Sequence, residues 1–508
     1  MERREILMQS PSVSPNVLET GAVRLARAIR AGELTAVDAV IAYLDRVDQC
    51  NGAIRAIIAP DAAAIRREAL EQAAAADAAR ERGDELGPLH GVPFTVKDTL
   101  AVAGYPATAG SAVLKDYMPE ATAPVVARVL AAGAILLGKA NCSEFAVDTH
   151  AGNLIFGDTR NPFDLGRTPG GSSGGDAAAV AAGLAAFGLG TDFGGSIRWP
   201  AHCTGLASMR PTVGLLPGTG ILPYDTAAPL SPPNTASVLH RYMTPGPLAR
   251  RVEDVELLVR LMAGPDGIDA ACAPVPLRRS EEVDLAAISV AWCEGEGTVP
   301  VRSDVIRALS RAARLLGSTV RAVVNQRPPR LDEAAGLFIE LRDAEGLPEV
   351  AEAIRRSQSQ PHPVEVTVGI LKYLSSIEAK LAKVSGAELL VANLRATARR
   401  DAVFAAATRF LGEHQILLLP VASATAPLIG TSVVEVDGQQ VPRSQLGASC
   451  RAISILGLPS AVVPVGLGDD GMPIGIQVVG RRFHDHEVLA IAHEIERLVD
   501  FRPGPLAL

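Results

Sequence analysis

The sequence predicts an α/β fold, in which helices cover both faces of a central, twisted β-sheet that is mixed and mostly parallel. Three observations support this prediction. Short apolar runs typical of buried strands alternate along the chain with stretches of helical spacing. Strand signals resume near the C-terminus after a long helical stretch, which favours one continuous sheet. Aromatic residues make up only 4% of the 508 residues, whereas Ala and Gly abound, so the backbones can pack closely.

The N-terminal segment predicts two helices, a strand and a third helix. Apolar residues recur at helical spacing over residues 20–49, and Thr35, three residues before Asp38, is typical of a helix N-cap. Residues 51–59 form a short apolar run, which predicts a strand. An Ala-rich helix follows, opened by a Pro-Asp pair and covering residues 60–82.

Further strands and helices follow in the pattern of an α/β fold. Residues 91–97 are an apolar run that ends on the charged pair Lys97 and Asp98, which predicts a buried strand with polar side chains at its end. A helix is predicted from about Pro124. The remaining predicted strands cover residues 134–138, 416–420, 460–466 and 475–480, and a last helix covers residues 486–499.

Residues 327–411 differ in composition from the rest of the chain. Glu and Arg are interspersed there at helical spacing, and only prolines interrupt the pattern. We therefore expect a mostly helical insert in this segment. No internal repeat or long linker divides the chain, and the strand signals after this segment favour one continuous sheet rather than a separate C-terminal domain.

Composition and charge exclude several classes of protein. The chain has 48 basic and 56 acidic residues, a net charge of -8, and no basic stripe, which argues against nucleic-acid binding. The N-terminal residues lack the apolar segment of a secretion signal, and the longest apolar run, residues 177–190, is too short to span a bilayer. We therefore expect a cytoplasmic protein without a membrane partner. The six cysteines are scattered without C-x-x-C spacing, so we expect reduced, mostly buried thiols.

The densest feature of the sequence is a pair of glycine-rich loops that carry serines. The first loop, residues 168–176, has the sequence Thr-Pro-Gly-Gly-Ser-Ser-Gly-Gly-Asp, and the second, residues 190–200, has the sequence Gly-Thr-Asp-Phe-Gly-Gly-Ser-Ile-Arg-Trp-Pro. The Ala- and Gly-rich stretch between them is predicted to be one apolar helix. A flexible linker would not flank such a stretch. Neither loop matches the phosphate-binding pattern G-x-x-x-x-G-K-[ST].

The first loop also fits a different catalytic pattern. The segment from Gly171 to Gly175 matches G-x-S-x-G, the nucleophile elbow of α/β-hydrolases, with Ser173 as the nucleophile. Such an elbow needs a strand directly before the serine, whereas residues 161–169 are rich in turn formers and bounded by prolines. The sequence before Ser173 therefore does not fit a nucleophile elbow.

Together with residues 91–98, the two loops resemble the amidase signature family, whose motif runs from G-G-S-S-G-G to G-G-S-I-R-x-P. Further blocks that resemble the family lie at residues 139–145, 157–162, 210–214, 246–250, 457–461 and 473–477. The resemblance implies a single domain over residues 16–505, after an N-terminal tail of residues 1–15, with an α/β/α fold and a signature core at about residues 90–215. It also implies a catalytic triad of Ser196, Ser172 and Lys97.

These residue types suit the hydrolysis of an amide. An amide carbonyl is a poor electrophile, so the nucleophile needs a base and the oxyanion needs aligned donors. A tight glycine turn can point several backbone N–H groups at one oxyanion, and the predicted oxyanion hole consists of Phe193, Gly194, Gly195 and Ser196. Burial at the strand end would lower the pKa of Lys97 and make it a base. Ser172 would then relay the proton between Lys97 and Ser196.

The resemblance further implies residues that support or line the site. The peptide bond before Ser172 is expected to be cis. The expected supporting residues are Ser173, Asp192 and Arg198, which would orient the loops through hydrogen bonds. The expected substrate-binding residues are Gly170, Gly171, Cys142 and Ile221, although Cys142 equally suits a buried structural thiol. The helical insert and residues 217–223 are expected to shape the acyl pocket.

Other polar residues receive a structural interpretation. Ser208, Arg210 and Asp176 stand where the family commonly has Gly, Lys and Glu, and we expect these departures to affect packing rather than catalysis. The C-terminal histidines His484, His486 and His493 do not match the spacing of a zinc site and are expected at the surface. We therefore expect no metal and no cofactor.

The sequence thus predicts an amidase that hydrolyses the C–N bond of an amide, or of a carbamate, hydrazide or urea, through a Ser196 acyl-enzyme. Its expected partner is a small-molecule amide, and a homodimer is expected on base rates. Two alternatives stay open. One is the amidase subunit of a tRNA-dependent amidotransferase, and the other is an acyl transferase that uses an amine as the nucleophile.

Overall fold

The structure is a computed structural model that describes residues 16–58, 62–222, 237–345, 348–358, 364–501 and 503. The predicted tail of residues 1–15 and the predicted helix start at Pro60 and Asp61 lie outside these ranges. The helices within the described ranges are α1 (Asn16–Glu19), α2 (Ala22–Ala31), α3 (Ala36–Ile54), α4 (Ala62–Arg82), α5 (Pro124–Ala131), α6 (Gly174–Ala182), α7 (Arg198–Thr204), α8 (Val238–Tyr242), α9 (Val252–Met262), α10 (Ser303–Leu316), α11 (Leu331–Glu345), α12 (Pro348–Gln358), α13 (Val368–Leu381), α14 (Gly386–Glu413), α15 (Ala448–Ile455) and α16 (Asp485–Val499).

Many of the strands alternate with helices along the chain, as the sequence predicts, and others follow one another directly. In chain order they are β1 (Ile57–Ile58), β2 (Pro93–Lys97), β3 (Ile135–Ala140), β4 (Gly152–Asn153), β5 (Gly157–Asp158), β6 (Phe187–Asp192), β7 (Ala207–Arg210), β8 (Thr244–Ala249), β9 (Ser289–Trp292), β10 (Ala322–Asn325), β11 (Ile416–Pro420), β12 (Val433–Val436), β13 (Gln439–Pro442), β14 (Ser460–Leu467) and β15 (Pro473–Gly480). The predicted strands before Lys97, after α5 and in the C-terminal part are all confirmed.

Eleven of the described strands form one sheet, in the order β1-β3-β2-β6-β8-β7-β14-β15-β11-β9-β10. The prediction of a mixed sheet covered by helices is confirmed. Parallel pairing is confined to two groups, β3-β2-β6 and β11-β9-β10. The other six neighbouring pairs are antiparallel, so the parallel share is smaller than the sequence predicts. A parallel pair needs a crossover of a dozen or more residues, and the turn at residues 468–472 between β14 and β15 is too short for one.

The strand predicted over residues 51–59 is wrong for its first half. The helix α3 continues to the buried residue Ile54 and is followed by the cap residue Arg55, whose φ is +57°. Among the described residues of this run, Ile57 and Ile58 pair with β3, in an antiparallel register. The first part of this run belongs to the buried face of a helix, and its last part belongs to a strand. A short apolar run alone cannot distinguish these two structures. The helix cap predicted at Thr35 is confirmed, since its side chain accepts a hydrogen bond from the backbone N–H of Asp38 at 2.9 Å.

The apolar helix predicted over residues 177–190 is also corrected. The helix α6 ends at Ala182 with Gly183 in the left-handed conformation, and the chain then forms the central strand β6. Every residue of both elements is buried, and the apolar run rich in Ala and Gly continues from α6 to Ala186, directly before β6, so composition alone did not separate the two elements. Because β6 ends at Asp192, the second serine loop lies at the end of a central strand.

The segment predicted as a helical insert contains the four helices α11 to α14 within its described residues. The helix α11 packs against α14 and α15, and Phe338 and Leu341 bury apolar surface there. No helix in the described part of the chain combines the length and the apolar character needed to cross a membrane. All six cysteines are buried and free, as expected.

Candidate active site

The ends of two central strands bring the predicted catalytic residues together. The strands β2 and β6 are parallel neighbours, so their carboxyl ends, at Lys97 and Asp192, lie at the same edge of the sheet. The first serine loop leads into α6, which packs on these strands. The backbone N–H of Ser173 donates to the carbonyl oxygen of Ser196 at 3.1 Å, which joins the two serine loops.

Lys97 is fully buried and contacts the first serine loop directly. Its Nζ donates to Ser172 Oγ at 2.6 Å and to Thr191 Oγ1 at 2.9 Å. Burial lowers the pKa of Lys97 to about 8, although the nearby acidic groups of Cys142 and Asp176 raise it. A lysine with this pKa is partly neutral near physiological pH, and the neutral amine can accept a proton.

A second buried acid lies close to this lysine. Asp176, in the first turn of α6, accepts a hydrogen bond from Thr95 Oγ1 at 2.9 Å. Burial raises the pKa of Asp176 to about 7, although Thr95 and Lys97 lower it. Asp176 was expected to affect packing only, but its charge also acts on the pKa of Lys97.

The backbone of the first serine loop has an unusual conformation. The peptide bond between Gly171 and Ser172 is cis, as expected. Gly170 has a φ of +85°, and a Cβ at this position would lie 2.7 Å from Pro200 Cα. Ser172 and Ser173 are fully buried. The position of Ser172 beside Lys97 therefore depends on a glycine turn that no larger residue fits.

The second serine loop is organised around the carboxylate of Asp192. This carboxylate accepts hydrogen bonds from the backbone N–H groups of Gly195 (2.9 Å), Ile197 (3.2 Å) and Arg198 (3.3 Å). The guanidinium of Arg198 donates to both of its oxygens, at 2.9 and 3.0 Å. Burial alone would raise the pKa of Asp192, but the ion pair with Arg198 and these hydrogen bonds hold it at about 2. The loop is thus fixed by a buried, ionised carboxylate.

Arg198 and Arg210 extend this network into the C-terminal half of the sheet. Arg198 also donates to Gln477 Oε1 at 2.7 Å and to Ser454 Oγ at 2.6 Å. Arg210 Nε lies 3.5 Å from Asp192 Oδ1, and its other nitrogens donate to backbone carbonyls. Arg210 therefore contacts Asp192, the residue that holds the second serine loop, whereas only a packing role was expected for it. Ser208 is buried and its hydroxyl has no described partner.

Both serine loops open onto one cavity that encloses about 950 Å³ of empty space, part of it open to solvent. Gly171, Ser172, Phe193, Gly194, Gly195 and Ser196 line it. The prediction for Gly195 as an oxyanion donor needs a correction, because its N–H already donates to Asp192. Gly195 instead provides the turn: its φ is +119°, and a Cβ there would lie 2.7 Å from Cys450 Cβ.

Three of the predicted substrate-binding residues are not among the described residues that line this cavity. Cys142 is fully buried beside Lys97, and burial raises the pKa of its thiol. Gly170 packs on Pro200, and Ile221 is held against Leu100 by backbone pairing. Only Gly171 lines the cavity as expected, and Leu222 lines it in place of its neighbour Ile221.

Several lining residues were missed by the sequence analysis. An apolar wall is formed by Phe145, Trp199, Leu222, Leu239, Met243, Phe338, Val350 and Leu446, and three arginines, Arg342, Arg443 and Arg451, also line the cavity. The spacing of Phe338 and Arg342, four residues apart on α11, places both on one helix face and was an available signal. The others lie far apart in the sequence, so no local pattern joins them.

The C-terminal histidines differ partly from expectation. His484 and His493 are partly exposed, but His486 is buried because α16 packs against the sheet. The ligand atoms of His484, His486 and Glu487 lie within 4.8 Å of one another. Arg481 Nη2 donates to Glu487 Oε1 at 2.5 Å, so a guanidinium already neutralises the carboxylate that a metal ion would need.

Comparison with known proteins agrees with this geometry. A family model described as Amidase matches residues 38–489. The chain belongs to the Amidase family. Among relatives of this family, it is 34% identical to indoleacetamide hydrolase from Bradyrhizobium diazoefficiens, over 97% of the chain and 88% of that protein. It is 35% identical to a glutamyl-tRNA(Gln) amidotransferase subunit from Symbiobacterium thermophilum, over 96% of the chain and 98% of that protein.

A solved structure of the same family has a similar fold. The structure of a bacterial aryl acylamidase, a member of the amidase signature enzymes, superposes with a TM-score of 0.82 at 25% identity, covering 96% of this chain and 97% of the other. The fold predicted from the sequence is thereby confirmed as that of the amidase signature enzymes. The chain is an amidohydrolase, and amide hydrolysis is its reaction class.

Proposed function

We propose that the chain hydrolyses the C–N bond of a small-molecule amide through an acyl-enzyme formed on Ser196. The observation that carries this proposal is the 2.6 Å contact between Lys97 Nζ and Ser172 Oγ, at the base of a cavity that Ser196 also lines. Lys97 is the base, Ser172 relays the proton, and Ser196 is the nucleophile.

In this mechanism Ser196 Oγ attacks the carbonyl carbon while its proton passes to Ser172, and the proton of Ser172 passes to Lys97. Protonated Lys97 then returns a proton through Ser172 to the leaving nitrogen, so that ammonia or an amine departs. Water enters along the same route and releases the carboxylic acid. The pKa of about 8 supports the role of Lys97, because the protonated and neutral forms are both accessible.

The backbone amides of Phe193, Gly194 and Ser196 stabilise the oxyanion in this proposal. Each of these residues lines the cavity, and the hydrogen bonds of Asp192 hold the turn that carries them. Donors fixed before the reaction stabilise developing charge without reorganisation. Ser173 and Arg198 contribute by joining the two loops and by holding Asp192.

The lining of the cavity favours amides with an apolar or aromatic acyl group. Phe145, Trp199 and Phe338 provide aromatic surface, and the last of these comes from the helical insert. The relatives include an indoleacetamide hydrolase and an aryl acylamidase, whose names indicate aromatic amides. We therefore propose aromatic amides as the substrate class, with carbamates, hydrazides and ureas as less favoured alternatives.

A second candidate is the amidase subunit of a tRNA-dependent amidotransferase. The 35% identity to a protein of this kind over nearly the whole of both chains supports it. The two candidates differ in their need for a partner: an independent amidase hydrolyses amides alone. An acyl transferase would instead form a new amide when an amine is added, which product analysis detects.

The test is a turnover screen of aromatic and aliphatic amides with the purified chain and with Ser196→Ala. We expect hydrolysis of aromatic amides by the wild-type chain alone, and a loss of at least about 10³-fold in the variant. Equal rates in both proteins would contradict the role of Ser196. Activity only in the presence of partner proteins and tRNA would favour the second candidate. Sedimentation and cell fractionation test the predicted homodimer and cytoplasmic location.

A further inference from the structure

The three arginines that line the cavity differ in their partners. Arg342 Nη2 donates to Asp343 at 2.7 Å, and Arg443 Nη2 donates to Asp148 at 3.0 Å. Asp148 is the only carboxylate among the described residues that line the cavity. No described carboxylate lies within ion-pair distance of Arg451. Among the described lining residues, Arg451 is therefore the arginine without an ion-pair partner.

Arg451 is the most deeply buried of the three. It is 9% exposed, its Nη2 donates to the carbonyl oxygen of Gln445 at 3.3 Å, and its Nε is buried without a partner. Burial lowers the pKa of Arg451 to about 10, so the side chain stays charged at neutral pH. The nearby Glu296 makes no ion pair with it, and its oxygens accept hydrogen bonds from Thr298 and Ser449. A buried guanidinium in this state costs free energy unless an anion joins it.

The position of Arg451 links it to the reacting groups. A Cβ on Gly194 would lie 3.6 Å from Arg451 Cγ, and a Cβ on Gly447 would lie 3.8 Å from Arg451 Nη1. Both glycines line the cavity, and Gly194 belongs to the second serine loop. Gly447 is the N-cap of α15, whose first turn offers backbone N–H groups and the positive end of the helix dipole. The guanidinium and this helix end are thus adjacent features of one wall.

We propose that Arg451 and the N-terminal turn of α15 bind a carboxylate carried by the substrate, so that the enzyme prefers aromatic amides with an anionic group. An arginine binds a carboxylate through two parallel hydrogen bonds, which gives orientation as well as affinity. The apolar wall binds the rest of the substrate, and the bound carboxylate fixes the scissile carbonyl beside the second serine loop. This inference rests on the proposed function, because it names the substrate of the same site.

The carboxylate can belong to either side of the scissile bond. On the acyl side, the substrate is the monoamide of an aromatic dicarboxylic acid. On the amine side, it is an N-acyl amino acid with an aromatic acyl group. Both share the chemistry that Arg451 recognises, and two pairs of substrates separate them.

The experiment measures kcat/KM for two matched pairs of amides. The acyl-side pair is 4-carboxyphenylacetamide and neutral 4-methylphenylacetamide, and the amine-side pair is N-phenylacetylglycine and neutral N-phenylacetyl-ethylamine. We expect the wild-type enzyme to prefer the anionic member of one pair at least about tenfold, as a charge-assisted hydrogen bond implies. In Arg451→Gln this anionic-to-neutral ratio falls at least about tenfold, while Arg451→Lys retains part of it. The exposed variant Arg399→Gln keeps the wild-type ratio.

A binding measurement separates this inference from the proposed mechanism. Calorimetry with 4-carboxyphenylacetamide and N-phenylacetylglycine uses Ser196→Ala and the double variant Ser196→Ala/Arg451→Gln, with thermal unfolding to verify the fold. Loss of binding in the double variant supports the carboxylate subsite. It does so even if the wild-type chain hydrolyses neither amide, because a lack of hydrolysis would contradict only the proposed mechanism. Equal kcat/KM for anionic and neutral members, or an anionic preference that survives in Arg451→Gln, would overturn the subsite.

Discussion

The two serine loops and the helical insert stabilise their charged side chains in opposite ways. Asp192 and Arg198 in the second loop, and Lys97 beside the first loop, are fully buried, and each makes hydrogen bonds of 3.3 Å or less. In the insert, charged pairs such as Arg399 with Glu340 are about half exposed. A surface pair adds little stability, whereas removing one member of a buried pair costs several kcal/mol.

The insert also exposes apolar side chains that the loops would not tolerate. Leu390 and Leu394 of α14 are 61% and 60% exposed. Among the described residues of the insert, Phe338, Arg342 and Val350 line the cavity. The two regions therefore have different roles. Buried polar groups at the strand ends position the catalytic residues, and the insert contributes to the choice of substrate.

The largest effect is expected when the base is removed. Lys97→Met keeps the length of the side chain but has no amine, so we expect kcat to fall about 10³-fold or more while the chain stays folded. Steady-state kinetics and circular dichroism measure the two properties. The matched control in the insert is Arg399→Met, which should stay within about twofold of wild type. Turnover by Lys97→Met within tenfold of wild type would contradict the role of Lys97 as the catalytic base.

The second effect concerns the support of the catalytic loop. Asp192→Asn leaves the buried guanidinium of Arg198 without its counter-charge, so we expect unfolding to become easier by about 3 to 5 kcal/mol. Chemical denaturation measures this change, and Glu340→Gln in the insert should change stability by less than about 1 kcal/mol.

The same ion pair has a defined pH dependence. The pKa of Asp192 is lowered to about 2, so the stability it contributes is complete above about pH 4 and is lost as the pH falls towards 2. The Asp192→Asn variant should not show this loss of stability as the pH falls towards 2. A variant as stable as wild type would show that the loop does not depend on Asp192.

The third effect is a pH dependence of catalysis. Because the pKa of Lys97 is about 8, its neutral form is lost as the pH falls below that value. We expect kcat/KM to decrease about tenfold per pH unit below about pH 8 and to level off above it. The profile is measured between pH 5.5 and about 9.5 in constant-ionic-strength buffers. A flat profile through pH 8 would exclude Lys97 as the base.

The smallest effect is expected in the insert. Phe338 packs against Phe193 with ring centroids 4.5 Å apart, and both line the cavity. Phe338→Leu removes this aromatic contact, so we expect kcat/KM to fall about threefold to tenfold for aromatic amides and less for aliphatic ones. Kinetics with one amide of each class measure the difference. An equal decrease for both classes would indicate a general defect rather than a change in specificity.

The chemistry of the site could be predicted from the sequence because it resides in short, unusual segments. Glycine-flanked serines and a lysine at the end of an apolar strand are visible without a structure, and the contact between Lys97 and Ser172 agrees with them. The hydrogen bond that occupies the N–H of Gly195 depends on side-chain placement, so it could not be predicted.

The remaining differences have a physical cause as well. Fully buried helices and strands are both apolar, so periodicity did not separate α6 from β6, and Gly183, a residue typical of a helix end, was a local signal of the boundary. The residues of the cavity wall come from segments far apart in the sequence, and so do some strand pairs, such as β7 with β14. Arg451, which meets Gly194 across such a distance, is an example.

The most direct test of the account is to locate the acyl group on the protein. A slowly deacylating aromatic ester or carbamate is added to the wild-type enzyme, the reaction is quenched with acid, and the peptides are mapped by mass spectrometry. We predict one acyl group on the peptide that contains Ser196, and none in Ser196→Ala. An acyl group on Ser172 or Ser173 instead, or steady turnover without any acylated peptide, would contradict Ser196 as the nucleophile.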